Sequence, residues 1–152
     1  MPDIRPVFNQ VNIVSSDPEA SVRFYRRLGV SIPDDQVWRT GSGIHHVNAE
    51  MPNTSEPSRF EIDSAALART WNAGWRNHAD LKGRVVVGFS IPTREGVDRL
   101  HAEMTSAGYR TLMAPYDAFW GARYAVIEDP DGLAVGLMSE KSDEHRSPPP
   151  KV

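Results

Sequence analysis

Two stretches of the chain show the same order of hydrophobic periodicities. In the first, Val7, Val11, Ile13 and Val14 mark a short apolar strand. Asp17 follows as a helix N-cap, with Pro18 at the first helical position, where its missing N–H costs nothing. Val22, Tyr25 and Leu28 recur at helical spacing, and Gly29 stands where a C′ glycine belongs. In the second, residues 85–91 form a β-branched run and Thr93 is the cap candidate. Val97, Leu100, Met104 and Ala107 make a 3-4-3 apolar stripe that ends at Gly108. Three short strand candidates follow each helix, at 36–39, 43–51 and 59–63, then at 110–113, 123–127 and 133–138. Each half therefore predicts a βαβββ order. Between them, residues 65–81 carry Leu67, Trp71, Trp75 and His78. They predict a connecting helix capped by Asp63 or Ser64, with its tryptophans packed on a sheet; a dimer interface is the alternative.

A lone four-stranded unit is too small to bury both faces of its sheet. The expected fold is α+β: two tandem βαβββ modules forming a cupped mixed sheet, helices outside and a cavity inside. The modules span about 7–64 and 84–138 of one domain, 1–138, joined by a helical linker at 65–83. Residues 139–152 are charged, then proline-rich (Ser147-Pro148-Pro149-Pro150), and are expected to be a disordered tail.

Composition narrows the function. The 152 residues carry a net charge of −3, with no basic run that would suit nucleic acid. No apolar run reaches membrane-spanning length and the first residues lack a signal-peptide core, so a cytoplasmic protein is the default. Cysteine is absent, which excludes disulfides, thiol nucleophiles and thiolate metal sites.

The most specific motif is the aromatic loop Tyr116-Asp117-Ala118-Phe119-Trp120-Gly121, followed by a strand, the tight turn Asp129-Pro130-Asp131-Gly132 and a last strand. With the strand, Asp17-Pro18 cap and helix of the first half, it resembles the vicinal oxygen chelate superfamily (glyoxalase, bleomycin-resistance and extradiol dioxygenase proteins). The resemblance covers roughly residues 7 to 138. It implies a divalent metal acting as a Lewis acid, held by two side chains from each module. Carried over by position, the four ligands fall on Gln10, Glu61, Val86 and Gly136. Gln10 and Glu61 are allowed ligand types. Valine and glycine side chains ligate nothing, and two ligands are fewer than the three usual in catalytic sites. No cofactor is expected on this count. The alternative is a divalent metal held by Gln10, Glu61 and His46. His45 and His46 are neighbours on one strand, so only one can enter a cavity; a hydrogen-bonded histidine in a half-polar pocket is the simpler reading. His78, His101 and His145 are read as structural or solvated.

Strand alternation puts Asn12 beside Gln10, Gly88 and Ser90 beside Val86, and Ala134 and Met138 beside Gly136. Tyr116 and Trp120 are candidates for an aromatic wall over a flat or cationic ligand, while Phe119 is read as a plug. Arg123 is read as an anchor of the Asp129 turn. Glu61 is the candidate catalytic residue, because a carboxylate in an apolar cavity is costly to ionise and so suited to acid–base work. The ligand-binding set is thus Gln10, Asn12, His46, Glu61, Val86, Gly88, Tyr116, Trp120 and Gly136.

Three functions compete. The first is metal-independent binding of a small aromatic or carbonyl-containing molecule, as in bleomycin-resistance proteins. The second is a metal-dependent glyoxalase-like lyase or isomerase, or a dioxygenase, using Gln10, Glu61 and His46. The third is a metal-free isomerase with Glu61 as base. The resemblance also implies a homodimer.

Overall fold

The computed structural model describes residues 10–51, 59–72 and 85–150. The chain divides into two compact units, Met1–Ala79 and Asp80–Val152. In the first, β1 (Gln10–Ser15) leads to α1 (Pro18–Leu28), then β2 (Val37–Thr40), β3 (Gly43–Ala49), β4 (Arg59–Ser64) and α2 (Ala65–Trp71). In the second, β5 (Val86–Ser90) leads to α3 (Arg94–Ser106), β6 (Thr111–Asp117), β7 (Arg123–Glu128) and β8 (Ala134–Met138). The sheets have equivalent orders, β1-β4-β3-β2 and β5-β8-β7-β6. In each, the first strand pairs parallel with the last and the remaining pairs are antiparallel. Both halves are βαβββ modules, as the periodicity predicts.

The local signals act as expected at the helix ends. The Asp17 carboxylate accepts from the Ala20 N–H at 3.0 Å, and Gly29, at φ 103°, returns its N–H to the last turn. Thr93 caps α3 through the Gly96 N–H at 2.9 Å. Of the two cap candidates for α2, Ser64 does the work, accepting from the Leu67 N–H at 3.1 Å. That leaves the Asp63 carboxylate for another use. The linker helix ends at Trp71; Trp75 and His78 lie outside the described residues.

Each helix covers one face of its own sheet. Phe24, Tyr25, Val47, Phe60 and Ile62 are buried in the first core, and the Tyr25 ring meets those of Phe24 and Phe60 edge-on at 4.9 and 5.0 Å. Alternation along β4 sends Glu61 and Asp63 to the opposite face from Phe60 and Ile62. In the second unit α3 lies across β6, β7 and β8, where Val97, Met104, Ala125, Ile127, Val135 and Leu137 are buried.

Three expectations change. Tyr116 belongs to β6, not to a loop, and stands opposite Tyr124. β6 is an edge strand with register shifts, which is where Pro115 can be tolerated. Arg123 does not anchor the Asp129 turn. It pairs with Asp98 of α3 (2.8 Å) and with Asp117 (3.1 Å), and Asp117 also takes Arg94. The turn holds itself: buried Asp129 accepts from the N–H groups of Asp131 and Leu133, both at 2.9 Å, with Gly132 at φ 85°. The tail is tied down through its first part. The Ser142 N–H donates to the Gly121 carbonyl (3.0 Å) and the Ser147 N–H to that of Phe119 (3.1 Å), around a 3₁₀ turn at Asp143–His145. Backbone hydrogen bonds fix a segment whose composition offers little to bury.

Candidate functional site

The face of the first sheet that carries Glu61 and Asp63 holds a polar cluster. The register sets Asn12 of β1 beside Glu61 of β4, and His46 of β3 beside Asp63 of β4. All four side chains line one cavity of about 230 Å³, together with Leu67 and Trp71 of α2. Leu67 and Trp71 are four positions apart and so share a helix face. Trp71 is 50% exposed, which makes it a rim residue rather than core.

Hydrogen bonds order the cluster. Asn12 Nδ2 gives one hydrogen to Glu61 Oε2 and one to Asp63 Oδ2, each at 2.9 Å. His46 Nδ1 donates to Asp63 Oδ1 at 2.5 Å. Asp63 is 2% exposed and accepts at both oxygens. Arg59, at the exposed edge of β4, brings Nε to 3.9 Å from Glu61 Oε1. Glu61 is buried, but its surroundings are polar, contrary to the apolar cavity expected for it. With Nδ1–H fixed on a carboxylate, a neutral His46 presents an unprotonated Nε2. No partner for Nε2 occurs among the described residues.

His45 points the other way. Its Nε2 meets the hydroxyls of Thr40 (2.8 Å) and Ser42 (3.0 Å), its Nδ1 meets Ser64 (3.2 Å), and Trp38 lies against its ring. Both histidines are hydrogen-bonded, and His46 is the one that faces the cavity. Gln10 opens β1 opposite Arg59; its side chain lies outside the described residues. His101 on α3 meets Thr111 at 2.8 Å.

The remaining candidates fall in the second unit. Val86 is exposed, and Gly88 pairs with Gly136 across β5 and β8. Tyr116, Trp120 and Tyr124 form a cluster of edge-on rings with centroids 5.5 to 6.4 Å apart, and Phe119 meets Trp120 edge-on at 5.1 Å. Tyr124 fills the space a side chain at 136 would need: a Cβ on Gly136 would lie 2.7 Å from its hydroxyl. Burial, and then the nearby Tyr116, push the Tyr124 phenol above its ordinary value. Whatever stability this ring contributes is present below about pH 10 and fades as pH rises through the raised value. An absorbance titration should lose a late-ionising tyrosine in Tyr124→Phe; an unchanged late phase would contradict this packing.

The four positions carried over from the resemblance do not fit a divalent metal of that type. Val86 and Gly136 bring no donor atom, and Tyr124 occupies the space beside Gly136. Among the described residues no three His, Cys, Asp or Glu side chains are grouped to hold a metal ion.

Periodicity alone does not single out Asp63, Leu67, Trp71 or Tyr124. Asp63 is two residues from Glu61 and shares its face, a signal masked by its candidacy as a helix cap. Tyr124 alternates with Arg123 on β7 and would have been found by applying the inward–outward rule there.

A family model described as Glyoxalase/Bleomycin resistance protein/Dioxygenase superfamily matches residues 7–137. No curated protein matches the sequence. Among solved structures, a glyoxalase/bleomycin resistance protein/dioxygenase family enzyme from Burkholderia phytofirmans PsJN is 20% identical, with a TM-score of 0.69 over 86% of this chain and 96% of that one. A lactoylglutathione lyase from Agrobacterium tumefaciens is 15% identical, with a TM-score of 0.62 over 90% and 96%. TioX from Micromonospora sp. ML1 is 15% identical, with a TM-score of 0.57 over 88% and 98%. At these identities the likeness is one of fold.

Proposed function

The chain belongs to the glyoxalase/bleomycin resistance protein/dioxygenase superfamily, and on that premise we propose that it binds a small aromatic or carbonyl-containing molecule in the cavity of its N-terminal unit, without a resident metal. The observation that carries this is the cavity itself: a preordered polar wall of Asn12, His46, Glu61 and Asp63 beside the apolar side chains of Leu67 and Trp71. A few placed polar groups against an apolar surface is the usual composition of a small-molecule pocket. The wall holds its geometry through its own hydrogen bonds, so a ligand meets groups that are already oriented.

The absence of donor atoms at Val86 and Gly136 supports metal independence. The homodimer implied by the family, and a cytoplasmic location, are part of the proposal; among the described residues no helix is long and apolar enough to cross a membrane.

Trp71 supplies the test. Chelator-treated protein, screened against bicyclic and polycyclic aromatic carbonyl compounds, is expected to show saturable fluorescence quenching that Trp71→Leu removes. Quenching that appears only after a divalent metal is added back would overturn metal independence. Quenching unchanged in Trp71→Leu would place the ligand elsewhere.

A further inference from the structure

We propose that residues 140–147 form a detachable strap over the tip of the aromatic turn at 118–121, one that opens as a unit while the turn and its sheet stay closed. The strap starts at a fixed root. Buried Ser139 donates its N–H to the Arg123 carbonyl (3.0 Å), and its hydroxyl accepts the Arg123 N–H (2.8 Å). From there the chain returns across three consecutive residues. The Gly121 carbonyl accepts the Ser142 N–H, Trp120 forms an antiparallel bridge with Arg146, and the Phe119 carbonyl accepts the Ser147 N–H. The Ser142 carbonyl and Arg146 Cγ stand where a side chain on Gly121 would be, so the strap lies directly on that α-carbon.

Its hold is polar and small. Glu140-Lys141-Ser142-Asp143-Glu144-His145-Arg146-Ser147 offers no apolar side chain, and none of these residues is buried. Hydrophobic burial therefore contributes almost nothing. The Arg146–Asp143 ion pair is internal to the strap and exposed. Among the described residues, what ties the strap to the turn is two backbone hydrogen bonds and the contact on Gly121, set against the entropy of ordering the segment. The turn does not need this cover. The Ala118 N–H donates to the Ala122 carbonyl and the Gly121 N–H to the Ala118 carbonyl, both at 2.9 Å. Ala118 and Ala122 are buried, and Arg94 Nη1 holds the Gly121 carbonyl at 3.2 Å. Opening therefore leaves the tip folded and bares the Phe119 carbonyl and the pairing position at Trp120. A weakly held cover on a self-sufficient tip is a unit of local opening.

Native-state amide exchange of the full chain in low guanidinium tests this. The Ser142 and Ser147 amides should be protected about 10- to 100-fold, the range of two net hydrogen bonds, with no dependence on denaturant because little surface is exposed. The amides of Ala118, Gly121 and the β7–β8 ladder should be protected at least about tenfold more. Ser147→Pro removes one of the two donors. Arg146, at φ −72° and ψ 145°, already has the backbone that a following proline requires. Exchange at Ser142 should then quicken about fivefold, with the melting temperature unchanged. Protection at Ser142 and Ser147 equal to that of the ladder overturns the proposal, since strap and sheet would open together. So does no protection at either amide, which would mean that no strap forms. Equal protection at Gly121 makes turn and strap one unit, and Ser142 exchange that ignores Ser147→Pro makes the two anchors independent; each overturns it as well.

Discussion

Replacing Asp63 with alanine should destabilise the protein by about 3 kcal/mol, a shift of more than a hundredfold in the folding equilibrium. The carboxylate is 2% exposed and accepts two hydrogen bonds, from His46 Nδ1 and Asn12 Nδ2. Its removal takes the acceptor from two part-buried donors, and partly desolvated groups that lose a partner are costly. The damage extends beyond stability. His46 loses the contact that fixes its tautomer, and Asn12 loses its bond to Asp63. Urea denaturation gives the free energy, and His46 nitrogen shifts give the loss of a single tautomer. A change within about 0.5 kcal/mol, the range of ordinary surface substitutions, would mean that Asp63 is better solvated than its burial implies.

Gly121→Ala should cost a similar amount, about 3 kcal/mol, through a different mechanism. Gly121 sits at φ 95°, a region that costs other residues about 1–2 kcal/mol. A Cβ there would also overlap the Ser142 carbonyl oxygen. That oxygen is backbone and cannot rotate away, so the tail must lift from the loop. Lifting it breaks the Ser142–Gly121 and Ser147–Phe119 hydrogen bonds and the bridge between Trp120 and Arg146. Amide hydrogen exchange at Ser142 and Ser147 should quicken well beyond that of the β7–β8 ladder. Unchanged protection at both amides would show that the tail does not depend on this contact.

The fold was legible because its punctuation is local. Asp17, Pro18, Gly29 and Thr93 act on the backbone within four residues of themselves; the apolar stripe of α1 is buried at Val22, Tyr25 and Leu28, and that of α3 at Val97 and Met104 but not at Leu100 or Ala107. The site was legible only in part. Asn12, His46 and Glu61 were recognisable as polar residues on strands, but what joins them is the register of three strands, and register depends on pairings between segments far apart in sequence. Asp63 had two plausible uses, and Ser64 decided the matter by taking the cap. Arg123 offered two nearby acidic partners, and Asp98, distant in sequence, was invisible without the packing of α3 on β7. Composition misjudged the tail because it registers burial but not backbone hydrogen bonds.

The central claim is that the cavity of the N-terminal unit works through its own hydrogen-bonded side chains and not through a bound metal. Metal analysis of the purified protein tests it most directly, joined to thermal melts of chelated protein with nickel, manganese, iron(II), cobalt and zinc, for the native chain and for Glu61→Ala. The account predicts substoichiometric metal and melting temperatures that no ion raises specifically. One equivalent of tightly held metal, with a stabilisation that Glu61→Ala abolishes, would contradict it.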